Sequence, residues 1–168
     1  MQTSTITRTA VAAVILGLAL AAAPASAQEA IFIVRHAERL DDTKDSALSP
    51  EGVSRAERLA TALRDSGITA VFSTQYQRTA NTGRPLAAHL GLPVTSVPAD
   101  QQDDLRKQVT ALGPAARVLI VGHSDTVPEL LAAFGHANTI TIAKDEYDNL
   151  FVLVPGAGSG PLLLRLRY

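Results

Sequence analysis

The sequence lacks cysteine and tryptophan, and its only aromatic residues are four phenylalanines and three tyrosines. The lack of cysteine excludes disulfides, iron–sulfur clusters and thiolate metal sites, so the fold must be stabilised by its hydrophobic core alone. With so few aromatic rings, a stacking platform for bases or sugars is not expected.

An excess of charge of either sign is also missing, since 15 basic side chains stand against 16 acidic ones. A nucleic-acid-binding protein, or one held at an anionic membrane surface, usually carries a basic excess. The composition therefore predicts no nucleic-acid partner and no membrane partner. It gives no indication of the oligomeric state.

Residues 1–27 have the pattern of a secretory signal peptide. A polar start carrying Arg8 precedes an apolar run over residues 10–23, and small residues follow up to Ala27. The run is shorter than the roughly 20 residues that a membrane-spanning helix needs. We therefore expect cleavage after Ala27, a domain over residues 28–168 with a net charge of about −2, and a periplasmic or secreted protein. The alternative is an uncleaved membrane anchor.

In the remainder of the chain, apolar runs typical of buried strands alternate with patterns typical of helices. A helix is expected to begin at Ser49-Pro50-Glu51 and to stop at Gly67. The next helix pattern carries Gly83 and Pro85, which predict a break or a kink midway. The strands are predicted at residues 31–34, 68–72, 94–97 and 117–121, and the later helices at 76–90, 100–112 and 126–134.

Two final strand patterns, 150–154 and 162–168, flank a stretch rich in glycine and proline and predict a hairpin. Together the elements predict a single α/β domain, a three-layer sandwich with a mostly parallel central sheet. Helices are expected on both faces of the sheet, and the C-terminal hairpin at its edge. Ligands of such folds bind at the carboxyl ends of the strands.

Polar residues of one chemical kind follow three of the predicted strands. Arg35 and His36 follow the first, Arg78 lies shortly after the second, and His123 follows the fourth. An arginine fork matches phosphate oxygens, histidine can act as a nucleophile, and helix N-termini favour anions. Each segment alone is as consistent with a surface arginine or a turn histidine. Their occurrence in order at strand ends predicts a site for a phosphoryl group.

Four segments of the chain resemble the histidine phosphatase superfamily, also called the phosphoglycerate mutase-like family. The resemblance implies that His36 attacks phosphorus to form phosphohistidine, which water then hydrolyses. It also implies that Arg35, Arg78 and His123 bind the phosphate, and that no cofactor and no metal is required. The segments are residues 34–38, 48–52, 73–82 and 122–128.

The residue that protonates the leaving group is not fixed by the resemblance. Mutase-like members use a glutamate beyond the second arginine, where this chain offers only Asp100, Asp103 and Asp104. Acid-phosphatase members use an aspartate directly after the second histidine, where Ser124 stands here and Asp125 follows. Asp100 and Asp125 are the candidates for the general acid, and each is equally typical of a helix N-cap.

These observations predict a metal-independent phosphatase that hydrolyses a small phosphomonoester at an open site. The alternatives are a phosphohistidine or phosphoprotein phosphatase and a non-catalytic phosphate-binding module, while a mutase is least favoured because of the predicted export. Residues 38–45 are interpreted as a solvated loop, with a loop that borders the pocket as the alternative, and residues 145–149 as a turn. Tyr147 is a less favoured candidate for the site.

Overall fold

The computed structural model describes residues 28–156 and 160–168. The predicted signal peptide lies outside the described residues. The strands are β1 (Ala30–Arg35), β2 (Ala70–Ser73), β3 (Val94–Ser96), β4 (Arg117–Gly122), β5 (Asn149–Val154) and β6 (Leu162–Arg167). The helices are α1 (Pro50–Leu63), α2 (Gln77–Leu90), α3 (Gln102–Ala111) and α4 (Thr126–Ala133).

The six strands of the described chain form one sheet in the order β3-β2-β4-β1-β5-β6. The first four in this order run parallel, β5 is antiparallel to β1, and β6 is antiparallel to β5. The predicted parallel sheet with a C-terminal hairpin at its edge is confirmed. The carboxyl ends of β1, β2 and β4, which are neighbours, therefore meet at one edge of the sheet.

Helices cover both faces of the sheet, as predicted. In β4, Leu119 and Val121 pack in a cluster with side chains of α1 and α2, whereas Val118 and Ile120 pack with side chains of α3 and α4. A strand buried on both faces reads as a continuous apolar run, which is why the sequence revealed it. No helix among the described residues is long and apolar enough to cross a membrane.

Helix α1 begins as predicted, because the Ser49 side chain accepts a hydrogen bond from the Gly52 N–H at 3.2 Å and Pro50 occupies the first turn. The helix ends at Leu63, before Gly67. Gly67 has a φ of +72° and turns the chain toward β2.

Helix α2 runs from Gln77 to Leu90 without the predicted break. Gly83 allows the helix to lie close to the sheet, since a Cβ at this position would come to 3.0 Å of Val71 Cγ1. Burial of the face that carries Leu86 outweighs the backbone hydrogen bond that Pro85 cannot donate.

Candidate active site

A cavity of about 540 Å³ lies at the carboxyl ends of β1, β2 and β4. It contains all four side chains that the sequence indicated for phosphate chemistry. Helices α2 and α4 begin next to it, as expected for an anion site. The lining residues are Arg35, His36, Arg39, Tyr76, Arg78, Ala99, His123, Ser124, Asp125, Thr126, Lys144 and Tyr147.

Four aromatic rings line up across the cavity. The His36 and His123 rings lie edge to face, with centroids 5.3 Å apart. On the outer sides, the Tyr147 ring lies 6.1 Å from His36 and the Tyr76 ring lies 5.5 Å from His123. The two tyrosines thus enclose the histidine pair.

The His36 ring is held in one tautomer by its neighbour. Its Nδ1 donates to the carbonyl oxygen of Ala37 at 2.7 Å, since a carbonyl can only accept. The lone pair of a neutral ring is then on Nε2, which has no hydrogen-bond partner among the described residues. The backbone N–H of His36 donates to the Gly122 carbonyl at 2.8 Å and extends the β1–β4 pairing to the site.

Burial lowers the pKa of His36 to about 3, and the positive charges of His123, Arg35 and Arg78 act in the same direction. The side chain is therefore neutral at physiological pH. A neutral imidazole with a bare Nε2 is the form in which histidine is a nucleophile.

A chain of hydroxyl groups holds Nε2 of His123. The Thr79 hydroxyl donates to a backbone carbonyl, with that of Tyr76 at 2.7 Å. The Thr74 hydroxyl lies 2.8 Å from Thr79 Oγ1 and 3.0 Å from His123 Nε2. The nitrogen of His123 that is left without a partner among the described residues is Nδ1.

Helix α4 fixes the backbone of His123. The His123 N–H donates to Thr126 Oγ1 at 2.8 Å, and this hydroxyl fits against the strand end because Gly122 has no side chain. Burial lowers the pKa of His123 to about 4, with a further contribution from the charge of Arg78. His123 is thus neutral in the free protein.

Arg35 connects the end of β1 to the loop before β5. Its Nη1 donates to the carbonyls of Ala143 at 3.1 Å, Lys144 at 2.9 Å and Glu146 at 3.2 Å. Its guanidinium lies over the Tyr147 ring, 4.0 Å from the centroid. The buried Nε has no hydrogen-bond partner among the described residues. That nitrogen remains for a phosphate.

Arg78 is held in the same manner from the other side. Its Nη1 donates to the Lys44 carbonyl at 2.8 Å, and its guanidinium lies 4.4 Å from the centroid of the Tyr76 ring. The loop that supplies this carbonyl is bound to the start of α2, where Asp45 accepts from the Gln77 N–H at 2.8 Å. Burial lowers the pKa of both guanidinium groups, Arg35 and Arg78.

The two loops also border the site. Residues 39–45 are exposed and residues 144–145 form a turn, as interpreted from the sequence, but Arg39, Lys144 and Tyr147 line the cavity. Lys144 is the one of these three that the sequence did not indicate. Glu38 does not line it and instead accepts from Arg55 Nε at 2.8 Å. The loop positions carry no local pattern that would separate pocket residues from solvated ones.

The acidic candidates are in different places. Asp125 lines the cavity and is the N-cap of α4, accepting from the Thr126 N–H at 2.9 Å. Asp100 lies exposed in the turn before α3 and does not line the cavity. It is not the N-cap either, because Gln101 has that position. Asp103 and Asp104 are exposed on the first turn of α3.

The charge of the cavity is mainly cationic, from Arg35, Arg39, Arg78 and Lys144. The part of the chain described by the structure contains no group of three histidine, aspartate or glutamate side chains that could hold a metal ion. The arrangement is suited to binding an anion by charge and hydrogen bonds, beside a histidine that can attack it.

Comparison with known proteins gives a family match over part of the chain and a fold. The histidine phosphatase superfamily (branch 1) matches residues 31–106, which include His36 and Arg78. No curated protein matches the sequence.

Three of the solved structures that are similar in fold are phosphatases. The protein histidine phosphatase SixA complexed with tungstate has a TM-score of 0.66 at 18% identity, over 82% of this chain and 96% of that one. The alpha-ribazole phosphatase from Shigella flexneri has a TM-score of 0.67 at 14% identity, over 83% and 96%. A mycobacterial glucosyl-3-phosphoglycerate phosphatase has a TM-score of 0.65 at 14% identity, over 83% and 98%. At these identities the likeness establishes the fold alone.

Proposed function

We propose that the chain is a member of the histidine phosphatase superfamily, whose model matches residues 31–106, and that it is a phosphatase that hydrolyses a phosphomonoester through phosphohistidine at His36. The observation that carries the proposal is the state of the His36 ring. Nδ1 is bound to the Ala37 carbonyl, and the bare Nε2 belongs to a cavity that also contains Arg35, Arg78 and His123. A nucleophile is thus held next to cationic groups that bind phosphate oxygens.

In the first step, Nε2 of His36 attacks phosphorus while the bond from phosphorus to the ester oxygen breaks. The departing oxygen takes a proton and leaves as an alcohol. In the second step, water attacks phosphorus, the bond to Nε2 breaks and phosphate is released. Both steps place charge on the phosphoryl oxygens, which Arg35 and Arg78 stabilise from positions fixed before the substrate arrives.

His123 binds the phosphoryl group as the imidazolium. Its Nε2 is occupied by Thr74, so the donor to a phosphate oxygen is Nδ1. That nitrogen has to gain a proton on binding, because the free ring is neutral. A phosphate anion beside it favours protonation, and a monoanion can supply the proton itself.

Asp125 is our candidate for the acid that protonates the leaving oxygen. It lies in the cavity lining, and its charge raises the pKa of His123 and of Arg78, so it is within electrostatic reach of both groups. Asp100 lacks such a position, since its side chain is outside the lining. For hydrolysis of a phosphoester, Asp125 is therefore the better candidate for the general acid than Asp100.

A phosphohistidine or phosphoprotein phosphatase is the second candidate. The cavity lining contains no glutamate, and its only carboxylic acid, Asp125, is exposed and caps a helix. A phosphoramidate has a better leaving group and needs less protonation. A non-catalytic phosphate-binding module would use the same cationic groups without turnover.

We further propose export of the protein to the periplasm or beyond, on the pattern of residues 1–27.

The test is hydrolysis of an activated aryl phosphate by the purified protein in the presence of EDTA. The His36→Ala variant should lose turnover and should form no acid-labile phosphoenzyme. His89→Ala is the matched control, because His89 is exposed on α2 and should leave turnover unchanged. If the unaltered protein binds phosphate but does not turn over the substrate, the proposed phosphatase function is contradicted and a non-catalytic phosphate-binding module is favoured.

A further inference from the structure

The backbone next to His36 is held by a side chain of helix α2. Thr82 is fully buried, and its Oγ1 accepts from the Ala37 N–H at 2.9 Å. The same hydroxyl donates to the Arg78 carbonyl at 2.8 Å. A hydroxyl has one proton to donate and lone pairs that accept, so both hydrogen bonds form together. Thr82 therefore joins the segment of the nucleophile to the backbone of a phosphate-binding arginine.

Both backbone polar groups of Ala37 are engaged in this arrangement. Its carbonyl accepts from His36 Nδ1 at 2.7 Å, and its N–H donates to Thr82. Ala37 is fully buried, so water cannot take the place of the hydroxyl. Without that hydroxyl the N–H would be a buried donor with no acceptor, and the backbone would have to turn to find another. Such a turn would move the carbonyl that holds His36.

The same segment is also held by backbone hydrogen bonds on either side of Ala37. Before it, the His36 N–H donates to the Gly122 carbonyl at 2.8 Å. After it, the Glu38 carbonyl accepts from the Ser49 N–H at 2.9 Å. Neither of these bonds uses a side chain. The contact with the hydroxyl on α2 lies between them, at the residue whose carbonyl sets the tautomer of the nucleophile, and a substitution can remove it.

A helical threonine that donates to the carbonyl four residues earlier is not unusual in itself. Thr61 on α1 makes this bond to the Glu57 carbonyl at 3.0 Å, and Thr110 on α3 makes it to the Arg106 carbonyl at 2.8 Å. Both of these threonines are exposed. Thr82 differs from them because it is buried and because it accepts from the residue next to the nucleophile.

We propose that Thr82 is a positioning residue, which accepts the Ala37 N–H and thereby aims the Ala37 carbonyl at Nδ1 of His36. The proton of the neutral ring then stays on Nδ1, and Nε2 stays free to attack phosphorus. Thr82 does not line the cavity, so it acts through the backbone. The inference rests on the proposed phosphatase function. Because the hydroxyl also binds the Arg78 carbonyl, it couples the position of the nucleophile to that of the arginine.

The test is the tautomer of the His36 ring in the free protein, measured at neutral pH by two-bond proton–nitrogen NMR spectra. The His36 signals are identified by their loss in His36→Gln. The unaltered protein should have the proton on Nδ1. Thr82→Val keeps the shape of the side chain without the hydroxyl and should give a mixture of both neutral tautomers. Thr82→Ser keeps the hydroxyl and should restore the Nδ1 form.

Activity is the second readout. The kcat/KM for an activated aryl phosphate should fall roughly ten- to hundredfold in Thr82→Val, as expected when a reacting group is displaced, and should recover in Thr82→Ser. Thr61→Val and Thr110→Val are the matched controls, because each removes the same bond to a helix carbonyl at a position outside the cavity lining. Both controls should leave the tautomer and kcat/KM unchanged. An equal effect in the controls would overturn the inference.

The two proposals fail in different ways. An unchanged His36 tautomer in Thr82→Val would overturn the inference even if kcat/KM falls, because Thr82 would then contribute to stability alone. If Thr82→Val does not fold, Thr82→Ala, which also lacks the hydroxyl, takes its place. A proton on Nε2 of His36 in the unaltered protein would overturn the inference without any variant. No hydrolysis by the unaltered protein would contradict the phosphatase function, and the tautomer would still decide the role of Thr82.

Discussion

The imidazole rings of His36 and His123 lie edge to face in one cavity, with centroids 5.3 Å apart and planes at 65°. Their hydrogen-bonded nitrogens differ: His36 donates from Nδ1 to a backbone carbonyl, and Nε2 of His123 is hydrogen-bonded to the Thr74 hydroxyl. The nitrogens left without a partner among the described residues are therefore Nε2 of His36 and Nδ1 of His123. The two histidines are chemically distinct before any substrate arrives.

This pair should make the protein less stable in acid. The pKa of His36 is about 3 and that of His123 about 4 in the folded protein, both below the ordinary value of 6.5. Below pH 6.5 the unfolded chain therefore binds protons that the folded chain does not. The free energy of unfolding consequently decreases as the pH is lowered. His36 alone should account for roughly 2–3 kcal/mol between pH 6.5 and 4.5. Urea unfolding at a series of pH values measures this loss.

The control for the acid effect is substitution of a histidine. His36→Gln and His123→Gln should each flatten the pH dependence between pH 6.5 and 4.5, whereas His89→Gln, at an exposed position on α2, should not. If the free energy of unfolding of all three variants decreases between pH 6.5 and 4.5 as much as that of the unaltered protein, the acid sensitivity comes from other groups.

Thr74→Val should show whether the Thr74 hydroxyl acts on His123 through its hydrogen bond or only through the shape of the side chain. Valine has nearly the shape of threonine but has no hydroxyl, so the buried Nε2 of His123 loses its hydrogen-bond partner. We expect a loss of about 1–3 kcal/mol of stability and a fall in kcat/KM for an aryl phosphate. Thr74→Ser, which keeps the hydroxyl, should restore most of the activity. Equal kcat/KM in Thr74→Val and the unaltered protein would show that catalysis does not depend on the hydrogen bond between the Thr74 hydroxyl and His123.

The convergence of Arg35, His36, Arg78 and His123 could be predicted from the sequence because each lies at or shortly after the end of a strand. Three adjacent parallel strands bring such positions to one edge whatever the details of packing. The caps Ser49 and Asp125 were also accessible, since capping depends on local spacing.

Other parts of the site depend on contacts between distant segments and could not be predicted. Arg35 Nη1 binds carbonyls more than one hundred residues along the chain, and this contact brings Lys144 and Tyr147 into the cavity. No local pattern specifies such a partner. For the same reason the break expected at Pro85 was wrong, because burial of α2 against the sheet outweighs local preference.

Tyr147→Ala should weaken phosphate binding by releasing Arg35. The guanidinium lies 4.0 Å from the centre of the Tyr147 ring, a contact worth about 0.5–2 kcal/mol. We expect the affinity for tungstate or phosphate, measured by calorimetry, to fall roughly two- to thirtyfold. Tyr147→Phe keeps the ring and is the control. A similar loss in both variants would assign the effect to the hydroxyl instead of the ring.

Gly122→Ala should displace the segment that carries His123. A Cβ at residue 122 would lie 2.8 Å from Thr126 Oγ1, which is too close. That hydroxyl also accepts the His123 N–H, so its movement disturbs the histidine backbone. We expect a loss of about 1–3 kcal/mol in the free energy of unfolding and a lower kcat/KM.

A double-mutant cycle tests whether the close approach is the cause. Thr126→Ala removes the hydroxyl, so it should itself destabilise the protein by about 1–3 kcal/mol, because the His123 N–H loses its acceptor. In that background Gly122→Ala meets no oxygen and should cost less than it does alone, with a coupling of roughly 0.5–3 kcal/mol. Additive losses would mean that Gly122 is required for a reason other than its contact with Thr126. The remaining neighbours of the added carbon, Val127 at 3.4 Å and Leu130 at 3.6 Å, would then be the next to vary.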